Sequence, residues 1–221
     1  MSYTGTVSPG GPSDTRELDG LTIRKCSVGT MDNNAYLLTS TATGEQILID
    51  AADDAPRLQA LVAEGTGDLR AIVTTHQHWD HHRALPDLVE ATNAVTYAGA
   101  PDADALPVPV DTALEHGDRV TVGDLRLDVI RLTGHTPGSI ALAWTEPGPD
   151  GRVHLFTGDS LFPGGPGKTN SPGDFAQLMD DLQARVFDVY GDDTWVYPGH
   201  GADTTLGAER PQLAEWRARG W

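Results

Sequence analysis

A chain of 221 residues, 38% of them apolar, is long enough to bury a core of its own, which speaks against disorder and for one domain. Lys plus Arg number 15 against 32 Asp plus Glu, a formal net charge of −17, and a surface of that sign repels nucleic-acid phosphate and anionic lipid. No run reaches the roughly 18 apolar residues of a membrane span, the first twenty residues lack the basic and apolar regions of a secretory signal, and lone Cys26 has no internal disulfide partner, so the expected compartment is the cytoplasm.

Residues 1–19 are rich in Gly, Pro, Ser and Asp without periodicity, so a flexible leader is expected there, followed by a single domain over 20–221. Strand-like runs follow at 21–28, 34–40 and 45–50, the last two joined as a hairpin through Thr43-Gly44. Asp53, Asp54 and Pro56 read as the cap and first turn of a helix to about Glu64, with Leu58, Leu61 and Val62 on its apolar face. A strand at 69–74 leads to a helix over about 79–91, then to strands near 94–98, 119–122, 125–132, 139–145 and 152–157. Ser171-Pro172 opens a helix with Phe175, Leu178, Met179, Leu182 and Val186 on one face. A short strand at 194–197 precedes a terminal helix over about 208–219. Strands bracketed by helices, with hairpins and crossovers mixed, point to a layered α/β sandwich.

The eight histidines are unevenly placed. His76, His78, His81 and His82 fall within seven residues, directly after the apolar run Ala71-Ile72-Val73, and the C-terminal end of a buried strand is where α/β sites gather. In an extended loop His76 and His78 face one way while Asp80 and His81 diverge, so one loop can serve two neighbouring metals. Imidazole nitrogen and carboxylate oxygen at about 2.0–2.2 Å suit Zn, and also Fe or Mn, in sites open to water. His116 reads as a surface turn, His154 as a strand residue, His82 as a packing or hydrogen-bonding residue, and Cys26 as a small buried hydrophobe. Trp79 and Phe162 are candidates for the wall of a substrate pocket, with ordinary packing the alternative. The chain has no Gly-x-Ser-x-Gly elbow, and Gly167-Lys168-Thr169 lacks the upstream glycine and strand-loop-helix context of a P-loop.

Thr75 through His81 resembles the T-H-x-H-x-D-H loop of the metallo-β-lactamase superfamily. Downstream stand Gly134-His135-Thr136-Pro137-Gly138-Ser139, Thr157-Gly158-Asp159-Ser160 and Pro198-Gly199-His200-Gly201, in that family's order and at similar intervals. The resemblance spans about 21–205. It implies a four-layer αβ/βα sandwich, two mixed sheets face to face with helices outside and the metals at one edge. It also implies two divalent ions, Zn foremost: His76, His78 and His135 on one, Asp80, His81 and His200 on the other, and Asp159 bridging. A hydroxide between ions roughly 3.5–4 Å apart would attack a carbonyl, with Asp80 and Asp159 as the catalytic carboxylates and Asp80 orienting the hydroxide or taking a proton.

Ligand identity narrows the branch. Asp159 stands where one kind of β-lactamase has Cys and another has no bridging carboxylate, and His78 stands where flavodiiron proteins have Glu. What remains is similar to the glyoxalase II group. Gly165-Pro166-Gly167-Lys168 is similar to that group's G-C-G-K segment, which makes Lys168 a substrate-binding candidate. Asn170 and Ala202 replace two of the group's tyrosines, and a chain ending at Trp221 leaves no room for its helical C-terminal domain. Both departures speak against glutathione as carrier, so the expected partner is a small thioester or ester, with neither nucleic acid nor membrane. The alternatives on the same scaffold are a lactonase, a mononuclear-iron persulfide dioxygenase using His76, His135 and Asp159, and a catalytically silent metal-binding module.

Overall fold

Side chains alternate between the two faces of a strand, and here that alternation sorts the apolar residues into three layers. The computed structural model describes residues 3–220. Strands β1 (Asp14–Glu17), β2 (Leu21–Val28), β3 (Asn33–Ser40), β4 (Gln46–Ile49), β5 (Leu69–Thr74), β6 (Val95–Gly99) and β7 (Thr112–Leu114) form one sheet in chain order. It is antiparallel as far as β4 and parallel from β4 to β7. There follow β8 (Arg119–Val122), β9 (Leu125–Arg131), β10 (Ile140–Thr145), β11 (Val153–Gly158), a separate hairpin of β12 (Leu161–Phe162) and β13 (Gly165–Pro166), then β14 (Trp195–Pro198) and β15 (Thr204–Thr205). The second sheet runs β15-β14-β11-β10-β9-β8 in space, with β14 parallel to β11.

Leu21 and Ile23 of β2, Tyr36 and Leu38 of β3, and Ile47 and Ile49 of β4 face Leu127, Val129, Leu142 and Phe156 across the gap between the sheets. Their alternates, Leu37, Leu48 and Ile72, pack outward on Leu58 and Leu61 of α1 (Ala55–Glu64) and Leu85 and Leu88 of α2 (Leu85–Thr92). On the far side Ile130, Ala141 and Leu155 meet Leu178, Met179, Leu182 and Trp216. These three apolar layers amount to the expected four-layer αβ/βα sandwich. The remaining helices are α3 (Ala100–Ala103), α4 (Pro172–Leu182), α5 (Leu206–Glu209) and α6 (Leu213–Arg219). Among the described residues no helix is long and apolar enough to cross a membrane.

Proline accounts for two departures from the expected elements. The helix expected over 79–91 divides into a 3-10 turn at Trp79–His81 and α2, whose first turn holds Pro86. The terminal helix breaks at a 3-10 turn over Arg210–Gln212, where Pro211 has no N–H for the helical ladder. Within the segment expected to be a flexible leader, residues 14–17 form β1 on β2, and Gly5 O accepts a bond from Lys25; residues 1 and 2 lie outside the described residues. The short β7, β15 and α3 and the β12–β13 hairpin carry too few residues for a periodic signal.

Lys25 continues the inward face of β2 but carries a charge. Its Nζ, fully buried, bonds Gly5 O, Gly201 O and Asp203 Oδ1, each at 2.7 Å. Asp203 Oδ2 accepts from Tyr3 Oη at 2.6 Å and Trp195 Nε1 at 3.0 Å. The pair thus ties the N-terminal segment to the turn after His200. Asp203→Ala leaves a buried ammonium without its counter-charge, so stability should fall by about 3–5 kcal/mol, read as a lower urea midpoint at unchanged m.

Candidate metal centre

Strands β5, β9, β11 and β14 all end at one edge of the sandwich, and each delivers polar side chains there. His76 and His78 follow β5, with Asp80 and His81 on the 3-10 turn just beyond; His135 follows β9, Asp159 follows β11 and His200 follows β14. The seven residues expected from sequence come together. Ligand atoms of His76, His78 and His135 lie within 4.8 Å of one another, as do those of Asp80, His81 and His200. A third group, His76, His81 and Asp159, sits between them. Asp159 spans both sides: Oδ1 is 3.4 Å from His81 Nε2, and Oδ2 is 3.6 Å from His135 Nε2 and 3.4 Å from His200 Nε2.

The hydrogen bonds outside the cluster fix which ring nitrogen faces in. Nδ1 of His81 faces Asp50 Oδ2 at 2.9 Å, that of His135 faces Lys168 O at 2.6 Å, and that of His200 faces Met31 O at 2.8 Å. Those partners only accept, so each Nδ1 carries a proton and Nε2 is the nitrogen left to offer a lone pair to the cluster. Thr75 Oγ1 donates to Asp50 Oδ2 at 2.8 Å and therefore accepts from His76 Nδ1 at 3.0 Å. Nε2 of His81 and of His200 stand 3.1 Å apart. Nε2 of His76, Nε2 of His135 and Oδ1 of Asp159 are buried without a hydrogen-bond partner among the described residues. A cluster of acceptors with its donors turned away is what a divalent cation requires of its ligands, so the residues fit one.

Electrostatics agree. Burial and the neighbouring imidazoles, His81 foremost, hold His76 well below the usual histidine range. For Asp159 the effect of burial is outweighed by the adjacent His200 and His81 rings, which hold its carboxyl well below the usual carboxylate range. For His81 burial is outweighed by the nearby Asp159 carboxylate and by the bonded Asp50, which push it up to about 10. The point between those carboxylates attracts positive charge, from a proton or a metal.

The structure adds residues that sequence reasoning missed. Asp50 accepts from Thr75 N, Thr75 Oγ1 and His81 Nδ1 and holds a left-handed φ of 60°; its signal was a carboxylate closing the buried run Ile47-Leu48-Ile49. Asn33 Nδ2 bonds Asp80 Oδ2 at 2.9 Å, with no local signal. His82 bonds Gln77 O at 3.0 Å, His154 lies in β11 against Tyr197, and His116 is exposed; none joins the cluster. Trp79 is exposed, with the Arg83 guanidinium 4.7 Å from its ring, and Phe162 lies 6.3 Å from the His200 ring. The side chain of Lys168 is exposed, outside the cluster.

A Cβ at Gly199 would lie 2.2 Å from Asp159 Oδ1 and 2.8 Å from His81 Cε1, so only glycine lets the backbone pass behind these two side chains. Gly199→Ala should leave a folded chain whose zinc affinity is lower by about 10–100-fold, the usual cost of disturbing a ligand's support, as measured by competition with a chromophoric chelator.

Residues 28–200 match the family described as the Metallo-beta-lactamase superfamily. The hydroxyacylglutathione hydrolase of Fuscovulum blasticum is 44% identical over 137 residues, 62% of this chain and 51% of that protein. This chain spans about half the length of the first curated relatives it matches. Among solved structures, ETHE1 from Myxococcus xanthus superposes with a TM-score of 0.74 at 30% identity, covering 87% of this chain and 84% of that one. TTHA1623, solved in a di-iron-bound form, gives 0.68 at 34% identity, covering 83% and 95%. With the fold, the four ordered motifs and the match over 28–200 in agreement, the chain belongs to the metallo-beta-lactamase superfamily.

Proposed function

We propose that this chain is a binuclear metallo-hydrolase of glyoxalase II type that cleaves a small thioester or related carbonyl ester. The observation that carries this reading is the acceptor cluster, with imidazole lone pairs turned toward two carboxylates. His76, His78 and His135 hold one divalent ion in this reading, Asp80, His81 and His200 the other, and Asp159 reaches both. Such ions, when bound, supply hydroxide at neutral pH and stabilise negative charge on the attacked oxygen and the leaving thiolate. Imidazole and carboxylate suit Zn and Fe alike; Zn is the proposed ion, and TTHA1623 was solved with iron.

The chain's own part is positional. Asn33 anchors Asp80 through Oδ2, which leaves Oδ1 to orient the attacking oxygen or to hold its proton. Addition to the acyl carbon and loss of the thiolate break the C–S bond, and acid and thiol are released. Lys168 holds His135 through its carbonyl while its side chain borders a cavity of about 330 Å³ with Phe175 and Arg219. Two cations and no carboxylate among the described residues lining that cavity, in a chain of charge −17, suit a substrate whose thiol carrier has an anionic end.

The test is a thioester, ester and lactone panel followed by free-thiol or acid release, run with Zn, Fe and Mn forms. Thioester turnover is expected, and Asp159→Ala should lose more than the roughly 100-fold that an outer partner's removal costs, with lower metal content. Near-normal turnover of that variant, or no turnover by any metal form, overturns the reading. Lys168→Ala should raise KM about tenfold at nearly constant kcat, the pattern of a contact made equally in ground and transition states; steady-state kinetics on an anionic against a neutral thioester checks it.

A further inference from the structure

A carboxylate outside the cluster joins the two loops that carry the first group of histidines. Asp102, in α3, is fully buried. Its Oδ2 accepts from Gln77 N at 2.9 Å and Thr136 Oγ1 at 2.6 Å, and its Oδ1 accepts from Gly138 N at 2.7 Å. Gln77 lies between His76 and His78, and Thr136 follows His135 directly. Thr136 Oγ1, having given its proton to Asp102, accepts from Ser139 Oγ at 2.6 Å, so the second loop is braced from within.

All three donors to Asp102 are neutral, and no cationic side chain pairs with it among the described residues. A buried carboxylate is tolerated without a counter-charge only where hydrogen bonds replace its hydration. A Cβ at Gly99, where the chain enters α3, would fall 1.9 Å from Gly138 O, so α3 packs this closely on the His135 loop only because that residue is glycine. Among the described residues Asp102 makes no direct bond to Asp80, His81 or the His200 turn; those side chains are held by Asp50, Asn33 and Met31 O.

We infer that Asp102 is a positioning residue for one metal position only: it sets the separation between the His76–His78 loop and His135, and leaves the Asp80–His81–His200 position to its own supports. This inference rests on the metal reading above. Unlike a general structural role, it separates the two ions.

The experiment is stepwise titration of the full metal-free chain with Zn(II) against a chromophoric chelator, with Co(II) absorption as a second readout. His135→Ala and His200→Ala identify which binding event belongs to which position. Asp102→Asn, which keeps the shape but places an amide where the carboxylate oxygens accept, should weaken the event assigned to His135 by about 10–100-fold, the range for lost outer partners. The His200 event should stay within about threefold of wild type on the same scale. Thr136→Val removes one of the three bonds without touching the carboxylate, so it should weaken the same event less and keeps the question answerable if Asp102→Asn does not fold. Equal weakening of both events, weakening of the His200 event alone, or unchanged binding by a folded variant overturns the inference. A wild-type chain that takes up no zinc removes the metal reading beneath it, and with it this inference, before any variant is compared.

Discussion

Atoms that only accept hydrogen bonds repel when brought together, and this chain turns at least four imidazole lone pairs and two carboxylates toward one point at the edge of its sheets. With His81 and His200 nitrogens 3.1 Å apart, the arrangement holds only if a positive charge sits among them. The elevated His81 shows the same demand met by a proton. Every ring must therefore be held from behind, because the repulsion would otherwise rotate it outward. Thr75, Asp50, Lys168 O and Met31 O do so, one for each of His76, His81, His135 and His200.

The sandwich makes this possible by separating its tasks. Alternating apolar residues fill three layers, so the strands are fixed by burial along their length and their ends are free to be polar. Strands β5, β9, β11 and β14 deliver ligands from both sheets, and the inter-sheet core ends at Tyr36 and Tyr197, with Tyr36 Oη bonding Pro198 O at 2.6 Å just before the His200 turn. Close approach then becomes the limiting constraint. At Gly158, φ is +49° and a Cβ would lie 2.6 Å from Thr75 Oγ1, while Gly199 passes behind Asp159. Gly158 and Gly199 thus answer a crowding set by Thr75, His81 and Asp159.

What could be read in the sequence follows from the range of the interactions. The strand-like apolar runs of β2, β3 and β5 and the capped helix after Asp54 are local, and so is the density of His76, His78, Asp80 and His81. His135, Asp159 and His200 are distant in sequence, and only their resemblance to ordered family motifs joined them to that loop. Asp50, Asn33 and Asp102 were not legible because they act on partners 25 to 47 positions away, often through backbone N–H groups that every residue possesses. β1 escaped for a related reason: four polar residues at a sheet edge show no apolar alternation, and pairing with β2 supplies what the local pattern lacks.

Two of the supports behind the rings are main-chain carbonyls, at Met31 and Lys168, and both residues have exposed side chains. A carbonyl is present whatever the side chain, so these positions fix a histidine and present a variable group to the rim at once. The carboxylates behind the cluster, Asp50 and Asp102, have no such freedom, since their side chains are the contact. Specificity on this scaffold can therefore change at the rim without altering the cluster's geometry. The ligand layer is set by residues whose identity cannot change, and the substrate layer by residues whose backbone alone is committed.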